Sequence, residues 1–213
     1  VSGNDFTTLA RGVRAVLNRN VSTGVAWEFP ISNRKDIMDK SGVSEADLTK
    51  SWESFIEAGK KVKAATGAYL IADASDLSGI FIRSNLKDGE GVYFDSKGNP
   101  LLNTPRFKKA FELAQAARKA GIDGKIGAWS NEWSEGFKRG QLASQMIGAW
   151  LAGHFESWLA PDTKGLWRAA QLPNGAFASW GGSFYAIPSK SANKAEAWEL
   201  IKFMTMNKEM QIA

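Results

Sequence analysis

SWESFIEAGKKVKAATGAYLIADASD, residues 51–76, joins a helical pattern to a strand-like one. Ser51 is a helix-capping residue type and Gly67 is the type that most often ends a helix, so the spacing predicts a helix between them. Residues 68–72 follow as a short apolar run that predicts a buried strand, which ends in the polar cluster of residues 73–76. The apolar face of the predicted helix consists of Trp52, Phe55, Ile56, Gly59 and Val62.

The same order of elements recurs further along the chain. Residues 142–147 form a strand-like run, Gly148 follows, and Trp150 opens a helical run over residues 151–159. Strands and helices mixed throughout, with helix in excess, predict an α/β or α+β architecture. The other predicted elements are helices over residues 7–18, 77–86, 105–120 and 193–206, strands over residues 167–172 and 184–187, and a hairpin over residues 92–102.

The composition is typical of a globular chain and excludes several kinds of site. The chain has 213 residues, 44% hydrophobic and 23% charged, which fits one large domain or two small ones. With no cysteine and a single histidine, His154, it excludes disulfides, thiolate nucleophiles and any metal site that needs two imidazoles. We therefore expect no metal and no cofactor. No apolar run approaches the roughly 18 residues of a membrane-spanning helix, so no membrane insertion is expected.

The positive charge has an ordinary explanation. The formal net charge of +5 comes from 27 Lys and Arg against 22 Asp and Glu, largely on helical runs such as Lys60, Lys61 and Lys63. Such interleaved charges are typical of solvated helix faces. The sequence contains no glycine-rich phosphate-binding motif and no RNP-like or zinc-finger pattern, so no nucleotide or nucleic-acid partner is expected.

The nine tryptophans divide by local context. Trp52 and Trp198 lie in apolar helical stripes, which predicts core packing. Trp150 stands where a strand passes through a glycine into a helix, the position at which open α/β sheets present residues to a ligand. Other tryptophans lie in glycine-containing loops, where a ligand can approach the backbone closely. These candidates are Trp180 with the following Gly181 and Gly182, and Trp129 and Trp133 after Gly127. Local pattern leaves each of them between a ligand contact and core packing.

Asp73 and Asp76 lie at the end of a predicted strand and are candidates to accept hydrogen bonds from a ligand. If several indoles face one cleft, a sugar is the fitting ligand, because its C–H faces stack on aromatic rings and its hydroxyls donate to carboxylates. Two alternatives stay open. One is a glycan hydrolase or lyase that uses two carboxylates from among Asp73, Asp76, Glu132 and Glu135. The other is an acidic saccharide held by arginine, with Arg83, Arg139 and Arg168 as candidates.

Four segments resemble, in order, segments of the bacterial extracellular solute-binding proteins that serve ABC sugar importers. Each segment alone is weakly specific, whereas the four in family order over residues 33–205 are fairly specific. They are NRKDIMDKSGV (33–43), SWESF (51–55), FKRGQLASQMIGAW (137–150), and WGGSFYAIP (180–188) followed by NKAEAWELIKF (193–203).

The resemblance implies a type II periplasmic-binding-protein-like lobe of α/β class, helix-rich with a small mixed sheet, and no enzymatic activity. Such a protein binds an oligosaccharide in a cleft between two lobes and delivers it to the permease subunits of an ABC transporter. Its location would be periplasmic, or extracellular with a lipid anchor.

The resemblance also assigns parts of the chain. Trp150 and Trp180 match aromatic stacking positions of the family, and Gly181 and Gly182 would offer backbone contacts. Residues 33–213 would form a solute-binding lobe shorter at both ends than the family's, mainly its carboxyl-terminal part. Residues 1–32 would be an amino-terminal or hinge segment.

Overall fold

A computed structural model describes residues 31–87, 90–178, 185 and 187–207 of the chain. The chain divides into two compact units after residue 180. The predicted helix over residues 7–18, the sequence Trp180-Gly181-Gly182 and two of the four residues of the predicted strand 184–187 lie outside the described residues. The division of the chain into segments 1–32 and 33–213 therefore stays a prediction.

A three-stranded sheet lies at the centre of the first unit. Strand β1 (Ile31–Arg34) lies between β2 (Ser144–Met146) and β3 (Trp167–Ala170) and runs antiparallel to both. Ile31 is paired with Met146 on one side and with Ala170 on the other. All four residues of β1 are buried, so this strand lacks the alternating pattern that would have revealed it in the sequence.

Two further extended segments continue the sheet beyond β2. Residues 68–72 lie beside residues 141–143, and the backbone N–H of Tyr69 donates to the Gln141 carbonyl at 2.8 Å. Residues 122–126 lie on the other side, where the Ile126 N–H donates to the Ala72 carbonyl at 3.0 Å. Both bridges are parallel, so these segments run in the same direction as β2. The strand predicted over 68–72 is thus an extended, buried segment held by single bridges.

The helices mostly follow their predicted bounds. The predicted helices between Ser51 and Gly67, over 105–120 and over 193–206 are confirmed. The helix predicted over 77–86 begins two residues earlier and ends three residues earlier, at Arg83. The helical run over 151–159 is an α-helical turn that continues as a π-helical turn, Phe155–Leu159. The described helices are α1 (Lys35–Ser41), α2 (Glu45–Thr49), α3 (Trp52–Thr66), α4 (Ser75–Arg83), α5 (Pro105–Ala120), α6 (Asn131–Lys138), α7 (Leu151–His154) and α8 (Lys194–Met206).

Local chemistry explains the ends of α3. The Ser51 hydroxyl accepts from the Ser54 N–H at 3.0 Å, and the Ser54 hydroxyl oxygen accepts from the Ser51 N–H at 2.9 Å, which satisfies two otherwise free donors. At the other end Gly67 adopts a φ of +75°, a conformation that a side chain disfavours. Thr104, the residue before α5, has a hydroxyl that makes no capping hydrogen bond to this helix.

Two large apolar clusters hold the first unit together, and a small third one is formed by Ile82, Phe107 and Ala110. One packs α1 to α5 against one part of the sheet and contains Trp52, whose predicted core position is confirmed. The second, which we call the aromatic core, comprises Trp133, Phe137, Phe155 and Trp167 and their aliphatic neighbours. The stacked rings of Phe155 and Trp167 have centroids 3.7 Å apart, and Phe137 meets both rings edge-on.

The segment NRKD at residues 33–36 has a structural role. The Arg34 guanidinium is buried, pairs with both carboxylate oxygens of Asp36 at 2.8 and 2.9 Å, and donates to the Phe137 carbonyl at 3.1 Å. These bonds tie β1 to the end of α6. Burial raises the pKa of the Asp36 carboxyl, but the Arg34 guanidinium outweighs it and leaves that pKa below its ordinary value.

The second unit contains α8. Trp198 on this helix is 49% exposed, so its predicted core position is not found. The longest described helix, α5, has 16 residues, and none of the helices in the described ranges combines the length and apolarity needed to cross a membrane.

Candidate functional site

Three loops meet at one edge of the sheet. They follow the parallel segments 68–72, 122–126 and 142–146, and carry residues 73–74, 127–130 and 148–150; the first of them leads directly into α4. Ligands of open α/β sheets bind outside the carboxyl ends of their strands. These loops and the first turn of α4 contain Asp73, Asp76, Trp129 and Trp150, four of the residues predicted to bind a ligand.

Trp129 and Trp150 stack on each other at this edge. Their ring centroids lie 5.8 Å apart and their planes differ by 13°. Trp129 is 54% exposed and Trp150 is 41% exposed, although tryptophan is among the most apolar of side chains. We call these two residues the indole pair. It offers a flat apolar surface with an N–H donor on each ring.

The position of Trp129 depends on a strained backbone. Its φ is +68°, a left-handed conformation that is rare for a bulky residue and costs about 1–3 kcal/mol. The next residue, Ser130, caps α6 by accepting from the Trp133 N–H at 3.1 Å, so the turn is fixed from that side. Strain of this kind concentrates at ligand sites.

Trp150 depends on a neighbouring glycine. A Cβ atom added at Gly148 would lie 2.3 Å from the Nε1 atom of Trp150 and 2.7 Å from its Cδ1. The ring therefore occupies the space that any other residue at position 148 would need. The Gly148 carbonyl also accepts from the Leu151 N–H at 3.0 Å, which starts α7. The strand, glycine and helix order thus sets the orientation of the indole.

Trp133 lies beneath the indole pair. The sequence predicts a ligand contact for it, but its side chain is fully buried in the aromatic core, so its ring has no surface to offer a ligand in this structure. The ring centroids of Trp129 and Trp133 lie 4.9 Å apart. Trp133 therefore supports Trp129 from below.

A hydrogen-bonded chain connects the aromatic core to Asp76. The Trp133 Nε1–H donates to Oε1 of Gln145 at 3.0 Å, and Nε2 of Gln145 donates to Oδ2 of Asp76 at 3.0 Å. Gln145 is buried in β2, and its amide orientation is set by these two bonds. These two hydrogen bonds hold the Asp76 carboxylate at the edge of the site.

The two aspartates differ in electrostatics. Burial, together with repulsion from Asp73, raises the pKa of Asp76 to about 6, against the opposing hydrogen bond from Gln145. Burial also raises the pKa of Asp73, but hydrogen bonds from Ser75 and the charge of Arg118 outweigh it, so this pKa lies below its ordinary value. The Arg118 guanidinium lies 2.9 Å from Asp73 Oδ2. Asp73 is therefore paired with a cation, whereas none of the cations among the described residues pairs with Asp76.

The structure also positions the residues of the two alternatives. Glu132 and Glu135 lie on α6, where Glu135 pairs with Arg139 at 3.3 Å. Arg83 and Arg168 donate to backbone carbonyl oxygens. Each of the three candidate arginines thus interacts with a group that lies within four residues of it in the sequence. None of the described residues form a His, Asp and Glu cluster that could hold a metal ion.

Sequence reasoning missed three residues near this edge, Gln145, His154 and Trp158, and it missed the contact that fixes Gly148. Gln145 is a polar residue inside a predicted apolar strand, and this was the available signal. Gly148 adopts an ordinary backbone conformation that other residues could also adopt. The need for glycine at this position comes from the Trp150 ring, which a Cβ atom would meet. No sequence pattern distinguishes the exposed Trp158 from a core residue.

The profile of the bacterial extracellular solute-binding protein family matches residues 12–211. The chain belongs to this family. The α/β fold with its small sheet is the fold of a family lobe, as the sequence predicted.

Two curated family relatives are named for sugars. The lactose-binding protein of Rhizobium radiobacter is 32% identical over 176 residues, which are 79% of this chain and 41% of that protein. The arabinooligosaccharide-binding protein of Bacillus subtilis (strain 168) is 28% identical over 182 residues, 82% of this chain and 41% of that protein. The chain spans less than half of the length of these relatives.

A solved structure also resembles this chain. It is the ABC transporter associated binding protein from B. animalis subsp. lactis Bl-04, in complex with β-1,6-galactobiose. The two chains are 25% identical and superpose with a TM-score of 0.64 over 87% of this chain and 47% of that one.

Proposed function

We propose that this chain is part of the oligosaccharide-binding component of an ABC importer. The observation that carries the proposal is the indole pair, two half-exposed tryptophans stacked at the carboxyl edge of the sheet. Exposed aromatic surface on a strained, supported loop indicates a ligand that stacks on rings. The names of similar proteins support a sugar as that ligand. Two relatives are named for lactose and arabinooligosaccharide, and one similar structure contains β-1,6-galactobiose.

A neutral sugar fits the chemistry of this edge. Its C–H face stacks on an indole, and its hydroxyls donate to a carboxylate such as Asp76, which is partly buried and has no cation paired with it among the described residues. An acidic sugar fits less well, because the candidate arginines are engaged with other groups. Trp180, Gly181 and Gly182 remain proposed ligand contacts on the basis of the family resemblance.

We interpret the site as binding without catalysis. A carboxyl with a raised pKa beside an ionised one is also the arrangement of an acid–base pair. The membership of a solute-binding family supports a contact role for Asp76 instead. On this proposal the protein acts outside the cytoplasmic membrane, free in the periplasm or lipid-anchored, and passes its sugar to permease subunits.

Replacing Trp150 with alanine is expected to weaken sugar binding about thirtyfold, a loss of ~2 kcal/mol, because half of the stacking surface is removed. The measurement is isothermal titration calorimetry with lactose, galactobiose and arabinooligosaccharides. Phe111→Ala is the matched control, since Phe111 is an exposed aromatic residue on α5 and should leave binding unchanged. Chromatography of the same mixtures should show no hydrolysis products. Absence of binding to every saccharide, or turnover of any of them, would contradict the proposal.

Gly148→Ala is expected to weaken sugar binding about tenfold with little effect on stability, because the new methyl group displaces the exposed Trp150 ring from its position. Gly153→Ala is the control, since a Cβ there has no atom within 4 Å. That control should bind normally and be more stable by about 0.5–1 kcal/mol, as expected for alanine in a helix. Equal binding by the two variants would show that the orientation of Trp150 does not matter.

A further inference from the structure

A row of rings extends from the indole pair along one helix face. Trp150, His154 and Trp158 recur every fourth residue through α7 and the π-helical turn that follows it, so they lie on the same side. The Trp150 and His154 ring centroids are 5.5 Å apart, and so are those of His154 and Trp158. The ring centroids of Trp150 and Trp158 are therefore at most 11 Å apart.

Trp158 is held in place although it is exposed. Its Nε1–H donates to Nδ1 of His154 at 3.0 Å, while 53% of its surface stays accessible. Because Nδ1 accepts this bond, a neutral imidazole carries its proton on Nε2, which is then the one hydrogen-bond donor of the His154 ring. A tethered, half-exposed indole loses little rotamer freedom when a ligand stacks on it.

The helix at this point has an unusual geometry. Residues Phe155–Leu159 form a π-helical turn, which is wider than the turn of an α-helix. Such turns are rare in proteins as a whole, and a large share of those that occur lie at functional sites. On the inner side of this turn Phe155 is fully buried against Trp167, so the turn is fixed to the aromatic core. Its outer side carries Trp158.

We propose that Trp158 and His154 form a second saccharide subsite, next to the indole pair, which selects linear oligosaccharides over disaccharides. This inference rests on the proposed function. The ring planes turn along the row, by 65° between Trp150 and His154 and by 53° between His154 and Trp158. A chain of sugars joined by rotatable glycosidic bonds can follow such turns, whereas a rigid planar ligand cannot.

The test is calorimetry of the 213-residue chain with linear arabinooligosaccharides and β-1,6-galactooligosaccharides of two to six units. The affinity of the unmodified protein should rise with length. For Trp158→Ala the loss should grow with ligand length and reach about tenfold for the longest. Trp158→Phe, which keeps an aromatic face but lacks the N–H donor, should show a smaller loss with the same length dependence.

The outcomes separate this inference from the proposed function. A protein that binds saccharides with an affinity independent of length, or a Trp158→Ala loss that is absent or equal at every length, overturns the second subsite and leaves the indole pair as the site. Absence of binding to all saccharides overturns both. Circular dichroism of each variant establishes that it is folded.

Discussion

Replacing Trp167 with alanine is expected to lower the free energy of unfolding by about 3–5 kcal/mol, the range for removing a large buried aromatic side chain. Trp167 is fully buried, stacks on Phe155 at 3.7 Å and meets Phe137 edge-on. Its Nε1–H also donates to the buried Thr163 hydroxyl at 2.7 Å. The substitution therefore leaves a cavity between β3 and α6 and removes a hydrogen bond. Urea denaturation followed by far-ultraviolet circular dichroism measures the loss.

Trp158→Ala is the matched control for this experiment. It removes the same side chain and the same kind of N–H donor from an exposed position, so its effect should stay below about 1 kcal/mol. Trp167→Phe separates the two contributions, since it keeps a ring in the stack and removes the bond to Thr163. Its expected loss is about 1–3 kcal/mol. Similar losses for Trp167→Ala and Trp158→Ala would show that the aromatic core does not stabilise the unit as described.

Asp76→Asn is expected to stabilise the protein at pH 7, by at most about 3 kcal/mol. The pKa of Asp76 is raised from 3.8 to about 6, mainly by burial. The folded state therefore holds the proton more tightly than the unfolded chain does. Stability from this group is fully present below about pH 4 and is lost as the pH rises through about 6. Asparagine has no charge to bury and keeps an oxygen that can accept from Gln145.

The measurement is the difference in free energy of unfolding between the two proteins from pH 4 to pH 8. Taking the difference cancels the pH dependence that comes from groups whose pKa is lowered on folding. Asp47 is such a group, because its hydrogen bonds with Ser44 lower its pKa to about 2. The difference should be small at pH 4 and largest above pH 7. A difference independent of pH, or a destabilised Asp76→Asn, would contradict the burial of a charged Asp76. If Asp76 accepts from a sugar hydroxyl, the same variant binds sugar more weakly while being more stable.

The helices and the edge of the site could be predicted because their signals are local. Ser51 with Gly67 marks the ends of α3, and Gly148 marks the passage from strand to helix. The carboxyl-edge rule made both Trp150 and Asp76 candidate ligand contacts, although they are 74 residues apart in the sequence. These inferences needed only residue types and their spacing.

The exposure of individual tryptophans could not be predicted. Trp129 and Trp133 are four residues apart, a spacing that puts helical residues on one face. The helix begins only after Ser130, and the left-handed backbone of Trp129 turns its ring outward, so one indole is half exposed and the other is buried. Strand β1 was missed for a related reason, because its identity depends on partners distant in the sequence.

The position of β1 has a consequence for the order of folding. This strand lies at the centre of the three-stranded sheet, yet its partners β2 and β3 lie more than a hundred residues further along the chain. Helices α1 to α3 make contacts close in sequence and can form early, whereas the sheet must close two very long loops. During synthesis the central strand leaves the ribosome before its two partners, so its native pairs cannot form until residues 144–170 follow. The edge that carries the indole pair is therefore among the last parts to be assembled.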